Sequence, residues 1–172
     1  VGTGSLDFSF GAWAANGTFS ANSARTATTV TLATGSGTLA DLRDAINNAG
    51  MQVTASILKT SDTSYSLVLQ SREGEAHSME ITATEDSSAT GLSSFAYTSV
   101  DANIETITAA DASFTMDGVT ITRDSNTITD LIDGVTLTVK STTSAAETVS
   151  GTYDSNVAEA AMQIMVDQIN TI

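Results

Sequence analysis

Not one proline occurs in 172 residues, so every chain reversal has to be made by Gly, Asn, Asp or Ser. With Ser and Thr abundant, that punctuation favours short antiparallel strands joined by tight turns. Leu6, Phe8 and Phe10 alternate with Ser5, Asp7 and Ser9, the period of two expected of a half-buried strand, and Ala12 to Ala15 then lead into an Asn16-Gly17 turn. Phe19 and the run Thr28 to Leu32 read as further strands. Val53, Ala55 and Ile57, then Tyr65, Leu67 and Leu69, then Met79, Ile81 and Ala83 repeat the alternation. Phe114 and Met116 face Val119 and Ile121 across Asp117-Gly118, a dipeptide suited to a two-residue type I′ hairpin. A segment from Asn126 to Ile132, a turn at Gly134 and a strand over Val135, Leu137 and Val139 follow, with one more strand expected around Val149.

Two helices interrupt this pattern. Thr38 is placed to cap the first, Asp41 stands three residues later as an Asp version of the capping box, and Gly50 occupies the position after the C-cap. Its apolar stripe is Leu39, Leu42 and Ile46, flanked by Ala45 and Ala49, which predicts packing on a sheet. The second helix is expected from Ser155 to Ile172 with Asp154 as N-cap. Ala158, Met162, Met165, Ile169 and Ile172 are spaced 4, 3, 4 and 3, a two-heptad seam suited to contact with a partner helix. A helix packed on its own domain is the competing reading.

The fold class expected is α+β, mainly β: two small antiparallel β-rich lobes, one with a packed helix, plus a C-terminal stalk helix. The division is an inserted lobe over 36–98, a discontinuous lobe from 1–35 and 99–153, and the start of a stalk over 154–172. The strands from Phe114 to Val139 need partners, and those near the N-terminus are available to supply them. One continuous sandwich is the alternative.

Charge narrows the function. Twenty acidic residues face six basic ones, scattered as Arg25, Arg43, Lys59, Arg72, Arg123 and Lys140, for a formal net charge of −14. Nucleic acid and anionic membranes are poor partners for such a surface, since phosphate binding needs clustered basic groups. The acidity fits solubility and self-repulsion at an exposed surface. The absence of cysteine removes disulfides, thiolate metal sites and a Cys nucleophile. No run approaches the roughly 18 apolar residues of a membrane span. The opening Val1-Gly2-Thr3-Gly4 has no Met or leader-like character, and the chain reads as a fragment.

Catalytic, cofactor and metal sites are not expected. Gly35-Ser36-Gly37-Thr38-Leu39-Ala40 fits a permissive phosphate-loop pattern between a strand and a helix, but the strands after it are joined by short turns and lack the parallel frame of a dinucleotide site. The single histidine, His77, lies near Glu73, Glu75 and Glu80 and reads as a solvated turn residue. Carboxylate pairs at Asp41/Asp44, Glu85/Asp86 and Asp130/Asp133 are expected by chance among twenty acids. Asp124-Ser125-Asn126 begins like a calcium loop without its later Gly and Glu.

The run Gly37 to Ile57 (GTLADLRDAINNAGMQVTASI) resembles a repeat of flagellins and hook-associated proteins, a "TLxxLRDAIN" helix leading to a "VTASI" strand, and Tyr65 to Ser71 resembles the "LxLxS" strand that follows it. Asn126 to Val139 resembles the "NTITDxIxGVTLTL" segment of flagellar cap proteins, the hook-associated protein 2 family. Residues 154–170 resemble that family's "FVDxYN" helix, with Met165 for the usual Phe and Ile169 for the usual Tyr. This resemblance implies a structural component of an extracellular, homo-oligomeric filament cap that helps flagellin assemble. The chain would be the head with the first turns of a stalk, the seam Ala158, Met162, Met165, Ile169 and Ile172 being its contact. Another hook-associated protein or flagellin as parent, or adhesion to host mucin or glycan, stays open; Trp13, Tyr97 and Tyr153 are the aromatics a sugar site would use.

Overall fold

The computed structural model describes residues 1–98, 107, 109–150 and 155–169, which fall into two units, 1–139 and 140–172. In the first unit, strand β1 (Gly4–Trp13) is the centre of an antiparallel sheet. On one edge it pairs with β3 (Thr28–Leu32), and toward its end with β2 (Phe19–Ala21). Its other edge pairs with β6 (Ser78–Glu85), in register from Gly4 opposite Glu85 to Gly11 opposite Ser78. The alternation read from sequence sets the two faces: Leu6, Phe8 and Phe10 are buried with Val30, Leu32 and Ile81, which lie on the same side through the cross-strand register.

Helix α1 (Leu39–Asn48) covers this apolar face, adding the buried side chains of Leu42 and Ile46 to the cluster. Its capping box forms as expected. The Asp41 amide donates to the Thr38 hydroxyl oxygen at 3.1 Å, and the Thr38 amide donates to the Asp41 carboxylate at 3.0 Å. Ala49 is the C-cap and Gly50 follows it at φ 66°. The helix is then clamped to β4 (Thr54–Lys59) by Asn47, whose side-chain amide donates to the Ala55 carbonyl at 2.9 Å and accepts from the Ala55 amide at 2.8 Å. β4 forms a hairpin with β5 (Tyr65–Gln70), Ala55 opposite Leu69 and Ile57 opposite Leu67.

After β5, a 3₁₀ turn (Glu75–His77) leads into β6, and a second (Leu92–Phe95) buries Leu92 completely in the main cluster. Two hairpins follow, β7 (Ala112–Met116) with β8 (Val119–Arg123), and β9 (Thr127–Ile132) with β10 (Val135–Thr138). Asp117 and Gly118 both have positive φ, 48° and 83°, as a type I′ turn requires.

β6 pairs with β1 rather than with β4 or β5, so the strands of residues 1–35 share one sheet with 78–85. Among the described residues, β7 to β10 pair only within their own hairpins and not with the N-terminal strands. With β3 on one edge and β6 on the other, the backbone N–H and C=O groups of β1 are paired on both sides. The segment around Val149 is not a strand; Val149 is 88% exposed. In the second unit, α2 runs over Ser155–Ile169, and the expected N-cap Asp154 lies outside the described residues.

Candidate assembly surfaces

Glu159, Gln163 and Asp167 follow one another along α2 at a spacing of four. The Gln163 amide donates to the Asp167 carboxylate at 2.9 Å. Of the five seam residues, Met162 and Met165 are each 62% exposed. Ala158 and Ile169 fall within the helix, their side chains outside the described set, and Ile172 lies beyond the described residues. Ile164 and Val166, which the seam reading omitted, are exposed as well. The apolar surface is therefore broader than a heptad seam.

The first unit has smaller apolar exposures. Leu58 and Val68 stand diagonally across the outer face of the β4–β5 hairpin, and Val119, Ile132 and Val135 sit beside the two later hairpin turns. Among the described residues β4 and β5 pair only with each other, so neither has a strand on its outer edge, where Asn47 holds the amide and carbonyl of Ala55.

The positions that suggested chemistry are engaged in structure. At the phosphate-loop-like string, the Thr38 and Asp41 side chains already hold the first amides of α1, and the Asp41 carboxyl, kept below its ordinary range by the Thr38 hydroxyl, sets a negative charge where a phosphate would sit. Glu85 accepts from the amides of Gly91 at 3.0 Å and Ser93 at 2.9 Å, which lowers its pKa, and Asp86 accepts from the Thr3 hydroxyl at 2.6 Å. Asp44 pairs with Arg43 at 2.7 Å and Asp130 with Arg123 at 3.2 Å. In the calcium-like run, the Asn126 amide and Ser125 hydroxyl donate to Glu73, at 2.9 and 3.3 Å.

His77 is the clearest departure from expectation. Rather than solvated, it is buried at 7% exposure. Arg25, from the β2–β3 connection, donates from Nη1 toward His77 Nδ1 at 3.1 Å and from Nη2 to the Met51 carbonyl at 2.7 Å. The same guanidinium lies over the Phe10 ring, 3.6 Å from its centroid. The sequence carried no signal for this assembly, because its members are separated by up to 67 positions, from Phe10 to His77. Trp13 and Tyr97 are half-buried against each other, centroids 5.4 Å apart, and Trp13 Nε1 donates to the Met79 carbonyl at 2.9 Å. Tyr153 lies outside the described residues.

The fold is mainly antiparallel β, followed by a helix on which Met162, Ile164, Met165 and Val166 are exposed. Residues 109–172 match the family model described as flagellar hook-associated protein 2 C-terminus. The chain is 36% identical over 133 residues to flagellar hook-associated protein 2 of Salmonella typhimurium, covering 76% of this chain and 28% of that protein. It is 31% identical over 133 residues to B-type flagellar hook-associated protein 2 of Pseudomonas aeruginosa, covering 70% and 28%. Among solved structures, it is similar to FliD (HAP2) from Pseudomonas aeruginosa PAO1 at TM-score 0.69 and 26% identity, over 99% of this chain and 75% of that one. The flagellar cap protein FliD from Escherichia coli shares the fold at TM-score 0.67 and 23% identity, over 99% and 46%. The chain belongs to the flagellar hook-associated protein 2 family, and it spans 28% of the length of the two curated relatives described.

Proposed function

We propose that this chain is the β-rich head, with the first turns of a stalk, of a structural cap at the tip of a bacterial flagellar filament. It is extracellular, works as a homo-oligomer and promotes assembly of exported flagellin. The observation that carries the reading is the exposed apolar surface of α2, Met162, Ile164, Met165 and Val166, on a chain of this family. Exposed apolar side chains of this kind on a helix are covered when helices associate. On this reading Ala158, Met162, Met165, Ile169 and Ile172 form the stalk contact, and the head needs no catalytic group, metal or cofactor. The β4–β5 edge and the hairpin tips are secondary surfaces for contacts between copies. A glycan- or mucin-binding role gains little from the described aromatics, since Trp13 and Tyr97 are occupied with each other.

The test is the mass in solution, by light scattering, of this chain and of a longer protein carrying its natural flanks. The longer protein is expected to assemble and this chain to remain smaller. If both stay monomeric at high concentration, self-assembly through the stalk fails as an account of the chain.

A further inference from the structure

An arginine guanidinium has no lone pair to offer, so the Arg25–His77 hydrogen bond at 3.1 Å requires Nδ1 to be the acceptor. His77 is therefore the neutral tautomer carrying its proton on Nε2. A proton on Nδ1 would abolish the bond and set two cations against each other in a site only 7% exposed.

The turn that ends at His77 is also the place where the main sheet meets the later hairpins. The His77 amide donates to the Gly74 carbonyl at 3.1 Å, closing the turn. The Glu75 amide donates to the Asp111 carboxylate at 2.8 Å, immediately before β7. Glu73 accepts from Ser125 and Asn126 between β8 and β9. Gly74 lies so close to Asp124 that a Cβ there would come within 2.7 Å of the Asp124 carbonyl oxygen. Arg25 in turn fixes this turn to Phe10 of β1 and to Met51 after α1.

We infer that the Arg25–His77 pair is an acid-sensitive latch: protonation of His77 releases Arg25 and loosens the Glu73–His77 turn from its contacts with Asp111 and with Asp124 to Asn126. This goes beyond the cap reading and does not depend on it. The charged groups facing the imidazole come from four places. Arg25 lies in the β2–β3 connection, Arg72 follows β5, Asp124 follows β8, and Asp111 precedes β7. Burial, then Arg72 and Arg25, hold the imidazole pKa below its ordinary value, while Asp124 and Asp111 oppose them less strongly. A histidine depressed in this way binds its proton more tightly in the unfolded chain. Its contribution to stability is complete above the ordinary value of about 6.5 and is lost as pH falls through the lower folded value.

Because His77 is the only histidine, its ring resonances can be followed by NMR without ambiguity as pH is lowered from neutral. Amide hydrogen exchange of Glu75 and Asn126, expressed as protection factors, reports the latch in the same sample. The expected result is a His77 midpoint below about 6.5, with protection of both amides falling about threefold or more at that same midpoint as the turn opens locally. His77→Asn places an oxygen acceptor near the Nδ1 position without a titrating group, and should make protection independent of pH across this window. A His77 midpoint at or above the ordinary value, protection that does not change at the midpoint, or an equal fall in His77→Asn would each overturn the inference. The coincidence of midpoints is read in the unsubstituted protein, so the test survives failure of the variant to fold.

Discussion

Phe8→Ala is expected to lower folding stability by about 3–5 kcal/mol, the range for truncating a buried aromatic. A domain of this kind is held by about 5–15 kcal/mol in total, so the variant should lie near its unfolding threshold. Phe8 is fully buried at the middle of β1, with Thr28 opposite on one edge and Ile81 on the other. Its loss leaves a void between the sheet and the Leu42 and Ile46 side chains of α1, which belong to the same cluster. Urea unfolding measures the effect. A loss below about 1 kcal/mol, the size of an ordinary substitution, would mean that the sheet and α1 do not share one core.

Gly4→Ala is expected to cost about 2–4 kcal/mol for a different reason, strain in the backbone itself. Gly4 has φ 135°, a conformation that side chains disfavour, and a Cβ there would run into the Thr84 carbonyl oxygen and approach the Glu85 Cα to 2.8 Å. Both obstacles are backbone atoms of β6, so no side-chain rotation relieves them. The β1–β6 ladder has to open at its Gly4–Glu85 end. Thermal unfolding gives the size of the loss, and faster hydrogen exchange at the β6 end nearest Glu85 gives its place. Unchanged stability would contradict the close β1–β6 approach on which the sheet topology rests.

What could be read from sequence was what is decided locally. The Thr38–Asp41 capping box and the Asp117-Gly118 turn involve residues at most three apart, and both form as their side-chain chemistry dictates. Alternation assigned Leu6, Phe8 and Phe10 to one face correctly, because a strand's period fixes the face without reference to any neighbour. It did not say which strand would pair with which. Met79, Ile81 and Ala83 read as a strand, but their alternation carries no information on its neighbour, which is β1. Leu92 sits in a stretch rich in Ser and Thr and is nonetheless fully buried, since one leucine on a short 3₁₀ turn has no period to reveal it.

The same limit applies to the candidate sites. The acidic neighbours of His77 suggested solvent, but sequence neighbours say nothing of Arg25, which reaches it from 52 positions away. On α2 the 4-3-4-3 spacing picked out Met162 and Met165, both exposed. It passed over Ile164 and Val166, because a heptad template admits only one seam and this helix is apolar beyond it.

The most direct test of the central claim, that α2 drives assembly, is the light-scattering mass of the longer, naturally flanked protein with Met162→Glu and Met165→Glu together. Two carboxylates on that surface have to be desolvated for helices to associate. The account predicts an oligomer for the unsubstituted protein and a folded monomer for the double variant. An unchanged oligomeric mass in the double variant would contradict it, and would place the contacts between copies elsewhere than on α2.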